Sequence, residues 1–468
     1  MNNKLTYIYI FLIFTFGFGI FYKTWSIPLK DYDEAIYAQV ARQSLEERRN
    51  LGIEYFGNLG MQKPWLGPDG MKRTGYWFEK PPLMIWLTEL SFYTFGINEF
   101  SARLWVGIFS LAIFILVFFT GKLLFDSSLA GILGSSVMFV CSQFITSSNI
   151  LQFDIPVSFF ILLSFYSFWK SKKNVKWLWV FWISLGFGVL TKSVIGLLPL
   201  PLIAVYSLLY KDVFYFKLKE FYWGFFVFLL LIVPWHLAES LIYGKMFWNQ
   251  YLFYHVLERF SRGLENNIGP FWYYLDLIFK QRILLSLAIL SIVVFVCKKH
   301  IKQPNYGHVF VSALFILAFF SISNTKLPAY ILVLYPFLSL FIAGELTYLM
   351  RSVRYNTLIL ISMALFFCVL GLKYKMVYLK MDFGYQKDSK EIGLYLNKNY
   401  QNKNIYYYSE TGTKPAVIFY ANRIVYFLSY PSPKPEKEFL LISEIKPDFA
   451  KTELLLSQNS QSLYLVKD

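Results

Sequence analysis

The sequence has few cysteines, few charged residues and no internal repeat. Its three cysteines, Cys141, Cys297 and Cys368, lie in or at the end of apolar runs, which argues against a disulfide framework and a cysteine metal site. Charged residues make up only 16% of the 468 residues, whereas hydrophobic residues make up 56% and the mean hydropathy is +0.45. A soluble domain does not reach these values, so the composition predicts a polytopic membrane protein.

The basic residues lack the arrangement that nucleic-acid binding requires. The net charge is +16, but Lys and Arg recur in short clusters between apolar runs and form no continuous patch. Such clusters are typical of the cytoplasmic loops of membrane proteins. The sequence therefore predicts a lipid bilayer as a partner, and no nucleic acid.

Apolar runs long enough to cross a bilayer recur along the first 372 residues. A spanning helix needs roughly 20 apolar residues, because lipid offers backbone groups no hydrogen-bond partner. The first run lacks a clear small-residue cleavage site, so we expect it to be retained. About eleven spans are predicted, at residues 5–25, 102–121, 129–147, 155–169, 177–190, 194–210, 221–238, 280–297, 307–323, 329–349 and 356–372.

The basic clusters give these spans an orientation. If the N-terminus is cytoplasmic, every predicted cytoplasmic connection contains Lys or Arg, in agreement with the positive-inside rule. The long first loop, residues 26–101, then lies on the exported side. We predict a membrane domain over residues 1–372 and a small exported α/β domain over residues 373–468. In this second domain, β-type segments alternate with turns, at residues 404–408, 416–420, 424–428 and 462–466.

The first exported loop holds the polar residues that most suggest a site. Residues 34–49, EAIYAQVARQSLEERR, are helix formers with one apolar face, which predicts an amphipathic helix at the membrane interface. Asp33 lies at its N-terminal end, where the helix dipole favours an ionised carboxylate that could accept a proton. The alternative is that Asp33 is only an N-cap and Glu34 a solvated neighbour.

Other charged residues stand at the edges of spans. Glu79 and Lys80 precede Pro81-Pro82, which fits either a site or a polar helix start with proline in the first turn. Asp154 and Lys192 border predicted spans, where ionisable residues are costly and indicate function. The alternative for Lys192 is snorkelling to the interface.

Three further candidates, His255, Arg259 and Lys326, lie later in the chain. Helical spacing places His255 beside Glu258 and Arg259. Lys326 precedes Leu327-Pro328 in a predicted exported turn, where it is either a site residue or a topological anchor.

Several sequence blocks between Trp25 and Pro336 resemble one family in the same order. They are DYDEAIYAQVARQSL, YWFEKPPLMIWLTELSFYTFGINEFSARL, FDIP, GVLTKSVIGLLPL, VPWH, RF followed by PFWYYL, and SNTKLPAYILVLYP. The chain resembles the GT-C glycosyltransferases that include the lipid A aminoarabinose transferase and, more distantly, the dolichyl-phosphate-mannose protein mannosyltransferases. FEKPPL and KLPAYI are the specific blocks. The segment from Asn50 to Tyr76 is longer than in the aminoarabinose transferases, and it borders the expected acceptor side.

The resemblance implies both a fold and a reaction. The fold would be an all-α polytopic GT-C membrane protein with about 11–13 transmembrane helices, interfacial helices in the first exported loop and the small C-terminal α/β domain. The protein would be an inverting glycosyltransferase of the inner membrane, with its active site facing the periplasm or the cell exterior. It would move a pentosyl or hexosyl group from a polyprenyl-phosphate carrier, such as undecaprenyl phosphate, to lipid A or another envelope glycan.

Three alternatives share part of this pattern. A flippase or transporter of lipid-linked saccharides would place polar groups near the bilayer midplane in two related halves, whereas these charges gather on one face. A protein O-glycosyltransferase would use the same class of donor. A polymerase or ligase of lipid-linked saccharides also shares the donor chemistry and differs in its acceptor.

The resemblance also implies residue roles. Asp33, Glu34 and Asp154 would be catalytic. Several positive charges would hold the lipid phosphate, because the leaving group gains negative charge as the glycosidic bond breaks; they are Lys80, Lys192, Arg259 and Lys326. Glu79, His255 and Tyr330 would line the sugar cavity. A divalent metal, held by Glu79 and His255, is compatible with the family but is not demanded by it.

Overall fold

The computed structural model describes residues 27–51, 77–263, 267–350, 384–408, 416–423, 425–428, 437–449 and 451–467, together with Phe11. The predicted spans 5–25, apart from Phe11, and 356–372 lie outside the described residues. So do Cys368 and almost all of the long segment from Asn50 to Tyr76.

Two helices lie in the described part of the loop at residues 26–101, which the sequence predicts to be exported. Helix α1, Asp33–Leu51, begins at the residue that the sequence predicted. It buries an apolar stripe that includes Ala35, Ala38 and Ala41, and it packs against helix α2, Leu83–Phe95. The sequence predicted a helix start at Pro81-Pro82 as one alternative but gave no bounds for α2. Pro82 precedes α2, which fits proline at a helix start, where its missing N–H costs nothing.

The membrane helices follow, and several are broken into two pieces. The first group is α3 Glu99–Phe125, α4 Ser128–Val140, α5 Ser142–Ser147, α6 Asp154–Ser171, α7 Trp177–Lys192, α8 Pro199–Tyr210 and α9 Lys219–Tyr243. The second group is α10 Lys245–Trp248, a π-helical segment Asn249–Glu258, α11 Arg259–Ser261, α12 Tyr273–Phe279, α13 Arg282–Cys297, α14 Pro304–Ile322 and α15 Leu334–Leu349. Short 3₁₀ turns lie at Ser193–Leu197, Phe214–Lys217, His300–Lys302 and Pro328–Val333.

Among the described helices, five segments are long and apolar enough to cross a bilayer, or six if the bent pair α12 and α13 is one span. The five are α3, α7 with its following turn, α9, α14, and α15 with its preceding turn. Helices α4 and α8 are shorter apolar helices. A polytopic membrane protein is therefore confirmed, whereas the number of about eleven spans stays a prediction.

The break after α7 shapes the site described below. Ser193 has a φ of +51°, so the chain turns sharply directly after Lys192. The turn returns close to α7, where a Cβ on Gly196 would lie 2.1 Å from the carbonyl carbon of Gly188. Glycine is required at this approach, and the turn that carries Ser193, Val194 and Ile195 is held against α7.

The C-terminal domain is a five-stranded mixed sheet with two helices. Helix α16 is Gly384–Asn399 and α17 is Ala416–Ala421; the strands are β1 Ile405–Tyr408, β2 Val425–Leu428, β3 Phe439–Ser443, β4 Thr452–Ser457 and β5 Ser462–Val466. The strand order is β2-β1-β3-β5-β4, with β1 parallel to β2 and β3, and β5 antiparallel to β3 and β4. An α/β domain is confirmed.

One predicted strand in this domain is wrong. Residues 416–420 form helix α17, not a strand. All six residues of α17 are buried. Their sequence therefore shows neither the alternating hydrophobic pattern of a strand nor the 3.6-residue pattern of a helix. The topology supplies the reason for a helix, because the parallel strands β1 and β2 need a crossover connection between them.

A buried ion pair fixes the chain that leads into α1. The Arg103 guanidinium, in α3, donates from Nε to Glu34 Oε1 at 2.7 Å and from Nη2 to Oε2 at 2.8 Å. Arg103 also donates to the carbonyls of Ile27 at 2.6 Å and Pro28 at 3.1 Å. Glu34 accepts further hydrogen bonds from Lys30 N at 2.7 Å and Leu151 N at 2.9 Å. The start of α1 is thereby fastened to α3 and to the chain before α6.

We expect Arg103→Met to destabilise the protein strongly. The carboxylate of Glu34 is 1% exposed and would lose its only charged partner within reach among the described residues. Removing one member of a buried pair typically costs about 3–5 kcal/mol. The measurement is thermal unfolding in detergent, with Lys280→Met as the control, because the Lys280–Asp276 pair is solvent-exposed. Equal midpoints for the two variants would contradict this role of Arg103.

Candidate active site

A cavity of about 280 Å³ lies where the loop before α2, the end of α7, the π-helical segment and the end of α14 meet. Its polar lining is Glu79, Lys80, Lys192, Ser193, His255, Arg259, Ser323 and Tyr330. Its apolar lining includes Ile195, Val256, Phe260 and Phe320. A concave, mostly apolar space with a few convergent polar groups is the usual form of a ligand site. Of the ten predicted site residues, six line this cavity.

Three of the predicted phosphate-binding cations share this cavity. Burial, and then repulsion from the Arg259 guanidinium, lower the pKa of the Lys80 ammonium to about 8; Lys192 adds to the repulsion, and the Glu79 and Asp33 carboxylates partly oppose it. Among the described residues, Lys80 has no carboxylate within 4 Å. Positive charges held this close together are costly unless an anion neutralises them. The arrangement is suited to a phosphate.

Lys192 is held in place by Asp154. Its Nζ lies 2.5 Å from Asp154 Oδ1 and 4.7 Å from the centre of the Tyr330 ring. Asp154 is the first residue of α6 and Lys192 the last of α7, so each charge lies at the helix end that favours its sign. Asp154 therefore orients a cation at the cavity wall. This contact does not require Asp154 to react.

The Asp33 carboxyl group interacts electrostatically with Lys80 and Lys192. Burial raises its pKa above the ordinary value, the charge of Lys80 opposes this, and Glu79 and Asp154 add to the rise. The side chain is nevertheless accessible to solvent. A raised carboxyl pKa improves a general base, because the proton affinity moves towards the working pH. The helix start at Asp33 was predictable from the sequence, whereas this shift of its pKa was not.

The backbone before Asp33 is strained. Tyr32 has a φ of +64°, which is uncommon for a residue with a bulky side chain. Such conformations cluster at functional sites and persist only where the surroundings enforce them. The contacts of residues 27–31 supply that enforcement.

Glu34 has a different environment from the one predicted. Its two carboxylate oxygens are used by Arg103, Lys30 N and Leu151 N, and its side chain is buried. A carboxylate held by these hydrogen bonds is a structural anchor for α1, and these contacts do not support the predicted catalytic role. The environment of Glu34 differs from the prediction because Glu34 pairs with Arg103, which lies 69 positions away in the sequence.

Lys326 also lies apart from the cavity lining. Its ammonium donates to the carbonyl oxygens of Phe320 at 3.1 Å and Ser321 at 2.6 Å, and it lies 5.5 Å from the centre of the Tyr274 ring. Lysine commonly satisfies the last carbonyls of a helix in this way. These contacts assign Lys326 to the end of α14 and do not support the predicted phosphate role. The same turn holds the cavity wall, because Thr325 Oγ1 donates to the carbonyl of Arg259 at 2.5 Å.

Glu79 and His255 meet, but the described residues do not form a metal site there. Glu79 Oε1 lies 3.9 Å from His255 Nε2. Within the described ranges no group of three or more His, Cys, Asp or Glu side chains could hold a metal ion. Glu79 and His255 remain candidates for hydrogen bonds to a sugar.

Sequence reasoning missed two residues near the site. Arg103 stood inside the block GINEFSARL, and an arginine in the second turn of a long apolar run is a signal that could have found it. Tyr37 lies one turn after Asp33 and packs on Phe153 with ring centres 4.5 Å apart. Burial, and then the charge of Asp33, raise the pKa of the Tyr37 hydroxyl well above its usual value. Tyr37 could have been found from its position four residues after Asp33, because residues at this spacing are neighbours on a helix surface.

Comparison with known proteins identifies the family of this chain. The family model for dolichyl-phosphate-mannose-protein mannosyltransferases matches residues 11–248. An uncharacterised protein of Aquifex aeolicus is 28% identical over 67% of this chain and 69% of its own length. The undecaprenyl phosphate-alpha-4-amino-4-deoxy-L-arabinose arabinosyl transferase of Wigglesworthia glossinidia brevipalpis is 28% identical over 74% of this chain. The match covers 60% of that relative's length.

Solved structures show the same fold. The crystal structure of ArnT from Cupriavidus metallidurans bound to undecaprenyl phosphate matches with a TM-score of 0.77 at 15% identity, over 99% of this chain and 98% of the other. The archaeal oligosaccharyltransferase AglB from Archaeoglobus fulgidus matches with a TM-score of 0.60 at 10% identity, over 89% of this chain and 63% of the other. With a family match over half of its length, the chain belongs to the dolichyl-phosphate-mannose-protein mannosyltransferase family, and it shares the fold of ArnT.

Proposed function

We propose that this protein is an inverting glycosyltransferase of the inner membrane that moves a sugar from undecaprenyl phosphate to an acceptor on the exported side, with lipid A or another envelope glycan as the acceptor. The observation that carries the proposal is the shared cluster of Lys80, Lys192 and Arg259 with Asp33. The relatives named as arabinosyl transferases and the ArnT structure bound to undecaprenyl phosphate support the donor class.

The three cations would bind the phosphate of the donor. An anion between Lys80, Lys192 and Arg259 relieves their mutual repulsion, and its charge grows as the bond from the sugar C1 to the phosphate oxygen breaks. Binding then becomes stronger in the transition state than in the ground state, which is the condition for catalysis. The apolar wall, with Val256, Leu257, Phe260 and Phe319, suits the start of a prenyl chain.

Asp33 would act on the acceptor. Its carboxylate accepts the proton of the acceptor hydroxyl while that oxygen attacks C1 from the face opposite the phosphate, so the configuration at C1 inverts. The bond to the phosphate breaks with its electron pair, and undecaprenyl phosphate leaves as an anion. An acceptor that is itself an ionised phosphate would need only positioning by this carboxylate.

Asp33→Asn should abolish most transfer while the protein stays folded. The amide has the shape of the carboxylate but cannot take a proton, and general-base contributions are typically about 10²–10⁴-fold. The measurement is mass spectrometry of lipid A, envelope glycans and exported proteins from cells that carry the wild type, Asp33→Asn or no gene.

Asp276→Asn is the matched control, since Asp276 is an exposed carboxylate paired only with Lys280 among the described residues. It should match the wild type. Normal modification in Asp33→Asn cells would reject the base assignment. Modification found only on exported proteins would make the acceptor a protein.

Lys80→Met should weaken the binding of undecaprenyl phosphate itself, with no sugar attached. Loss of a charge-assisted contact removes about 1.5–3 kcal/mol, or roughly ten- to a hundredfold in affinity. Lys192→Met should have a smaller effect, because Asp154 already offsets part of its charge. Affinities are measured on the purified protein in nanodiscs.

Lys326→Met is the control for this series, since its ammonium binds helix carbonyls. Its folded fraction should bind the carrier normally. Unchanged affinity in both Lys80→Met and Lys192→Met would remove the phosphate site from this cavity.

Carrier affinity should fall as the pH rises through about 8. Lys80 has its pKa lowered to about 8, so it is charged below that pH and neutral above it. The neutral amine loses its attraction for the phosphate. Lys80→Arg should keep its affinity to higher pH, because a guanidinium stays protonated. The same decline in Lys80→Met as in the wild type would show that another group titrates.

A further inference from the structure

The C-terminal domain touches the segment that leads into Asp33. The Tyr420 hydroxyl, in α17, accepts a hydrogen bond from Leu29 N at 2.8 Å and donates to Glu99 Oε1 at 2.9 Å. Glu99 is also bound by Lys390 Nζ, from α16, at 2.6 Å. Tyr420 and Leu29 are 5% and 0% exposed, so water cannot replace these contacts.

Helix α17 makes a second contact two residues before Asp33. The Asp31 carboxylate accepts a hydrogen bond from Ala416 N at 2.9 Å. Farther along α1, Arg42 Nη1 donates to the carbonyl of Phe419 at 2.8 Å. Ala416, Phe419 and Tyr420 also pack within the main hydrophobic core that includes α1. The domain therefore holds α1 both before its first residue and along its length.

Together with Arg103 and Glu34, the C-terminal domain binds the residues just before the strained Tyr32. Arg103 binds the carbonyls of Ile27 and Pro28, Tyr420 binds Leu29 N, and Glu34 binds Lys30 N. The left-handed φ of Tyr32 follows directly, and then Asp33. A strained residue keeps its conformation only where neighbouring contacts enforce it. Two of the contacts on residues 27–31 come from the C-terminal domain.

We propose that the C-terminal domain is part of the active-site scaffold and that Tyr420 is a positioning residue for Asp33. This inference rests on the proposed function of Asp33 as the base. Tyr420 does not touch the cavity and acts through the turn at residues 29–32. Its loss lets this turn relax and moves the carboxylate relative to the acceptor hydroxyl, while the cations of the donor site stay in place.

The test compares Tyr420→Phe with Tyr407→Phe. Both remove one buried hydroxyl from the C-terminal domain and keep the ring; Tyr407 bonds Gln461 at 3.0 Å, within the sheet. Turnover is measured in proteoliposomes with undecaprenyl phosphate-linked 4-amino-4-deoxy-L-arabinose and lipid A. Tyr420→Phe should lower kcat about ten- to a hundredfold, as small misplacements of reacting groups do. Its affinity for undecaprenyl phosphate, and the kcat of Tyr407→Phe, should match the wild type.

A double-mutant cycle separates positioning from a general loss of structure. In the Asp33→Asn background, Tyr420→Phe should change the residual rate by less than about twofold, because the group that it positions is absent. An equal loss of kcat in both backgrounds, or a kcat equal to that of Tyr407→Phe, would overturn the inference. Full activity of Asp33→Asn alone would instead show that the proposed base is wrong.

Hydrogen exchange gives a readout that does not depend on the donor sugar. In full-length protein in nanodiscs, Tyr420→Phe should speed exchange of the amides of Leu29, Ala35 and Ile36, and Tyr407→Phe should not. Wild-type exchange at these amides in Tyr420→Phe would refute the inference even if the wild type does not use this donor.

Discussion

The buried ion pair between Arg103 and Glu34 determines where Asp33 lies. Ionised groups are costly in a membrane protein unless each finds a partner, and this pair satisfies both charges while it ties three separate parts of the chain together. Helix α1 begins one residue before Glu34, so its first residue, Asp33, is set by the same contact. The Asp33 carboxyl group, which we propose as the proton acceptor, is thus positioned by an interaction outside the cavity.

The cavity brings several charges of both signs close together. Burial, and then the charge of Arg259, lower the pKa of Lys80 to about 8; Lys192 adds to this effect, and Glu79 and Asp33 oppose it. Asp154 neutralises Lys192, but no carboxylate lies within 4 Å of Lys80 among the described residues. An anion near Lys80 would reduce the repulsion between these positive charges, which is why we propose this cavity as the phosphate site.

Much of this organisation was predictable from local sequence. The helix beginning at Asp33, the break beside Lys192 and the charges at span edges follow from helix propensity, from the cost of charge in lipid and from the sequence blocks that resemble the GT-C family. The pairing of Glu34 with Arg103 was not predictable, because the two residues are 69 positions apart and either could have faced solvent. The phosphate role of Lys326 stays a prediction, since a lysine that caps a helix and one that binds phosphate look alike in sequence. Helix α17 could not be told from a strand, because all its residues are buried and its sequence shows no hydrophobic periodicity.

We propose that Lys80, Lys192 and Arg259 hold the phosphate of a lipid carrier within reach of the group that Asp33 deprotonates. Cryo-electron microscopy of the full chain in nanodiscs with undecaprenyl phosphate is the decisive experiment. We expect the phosphate in the cavity, in hydrogen-bond contact with Lys80 and Arg259, and the prenyl chain along the wall that contains Phe260 and Phe319. A phosphate bound elsewhere, with the three cations still facing an empty cavity, would contradict this proposal.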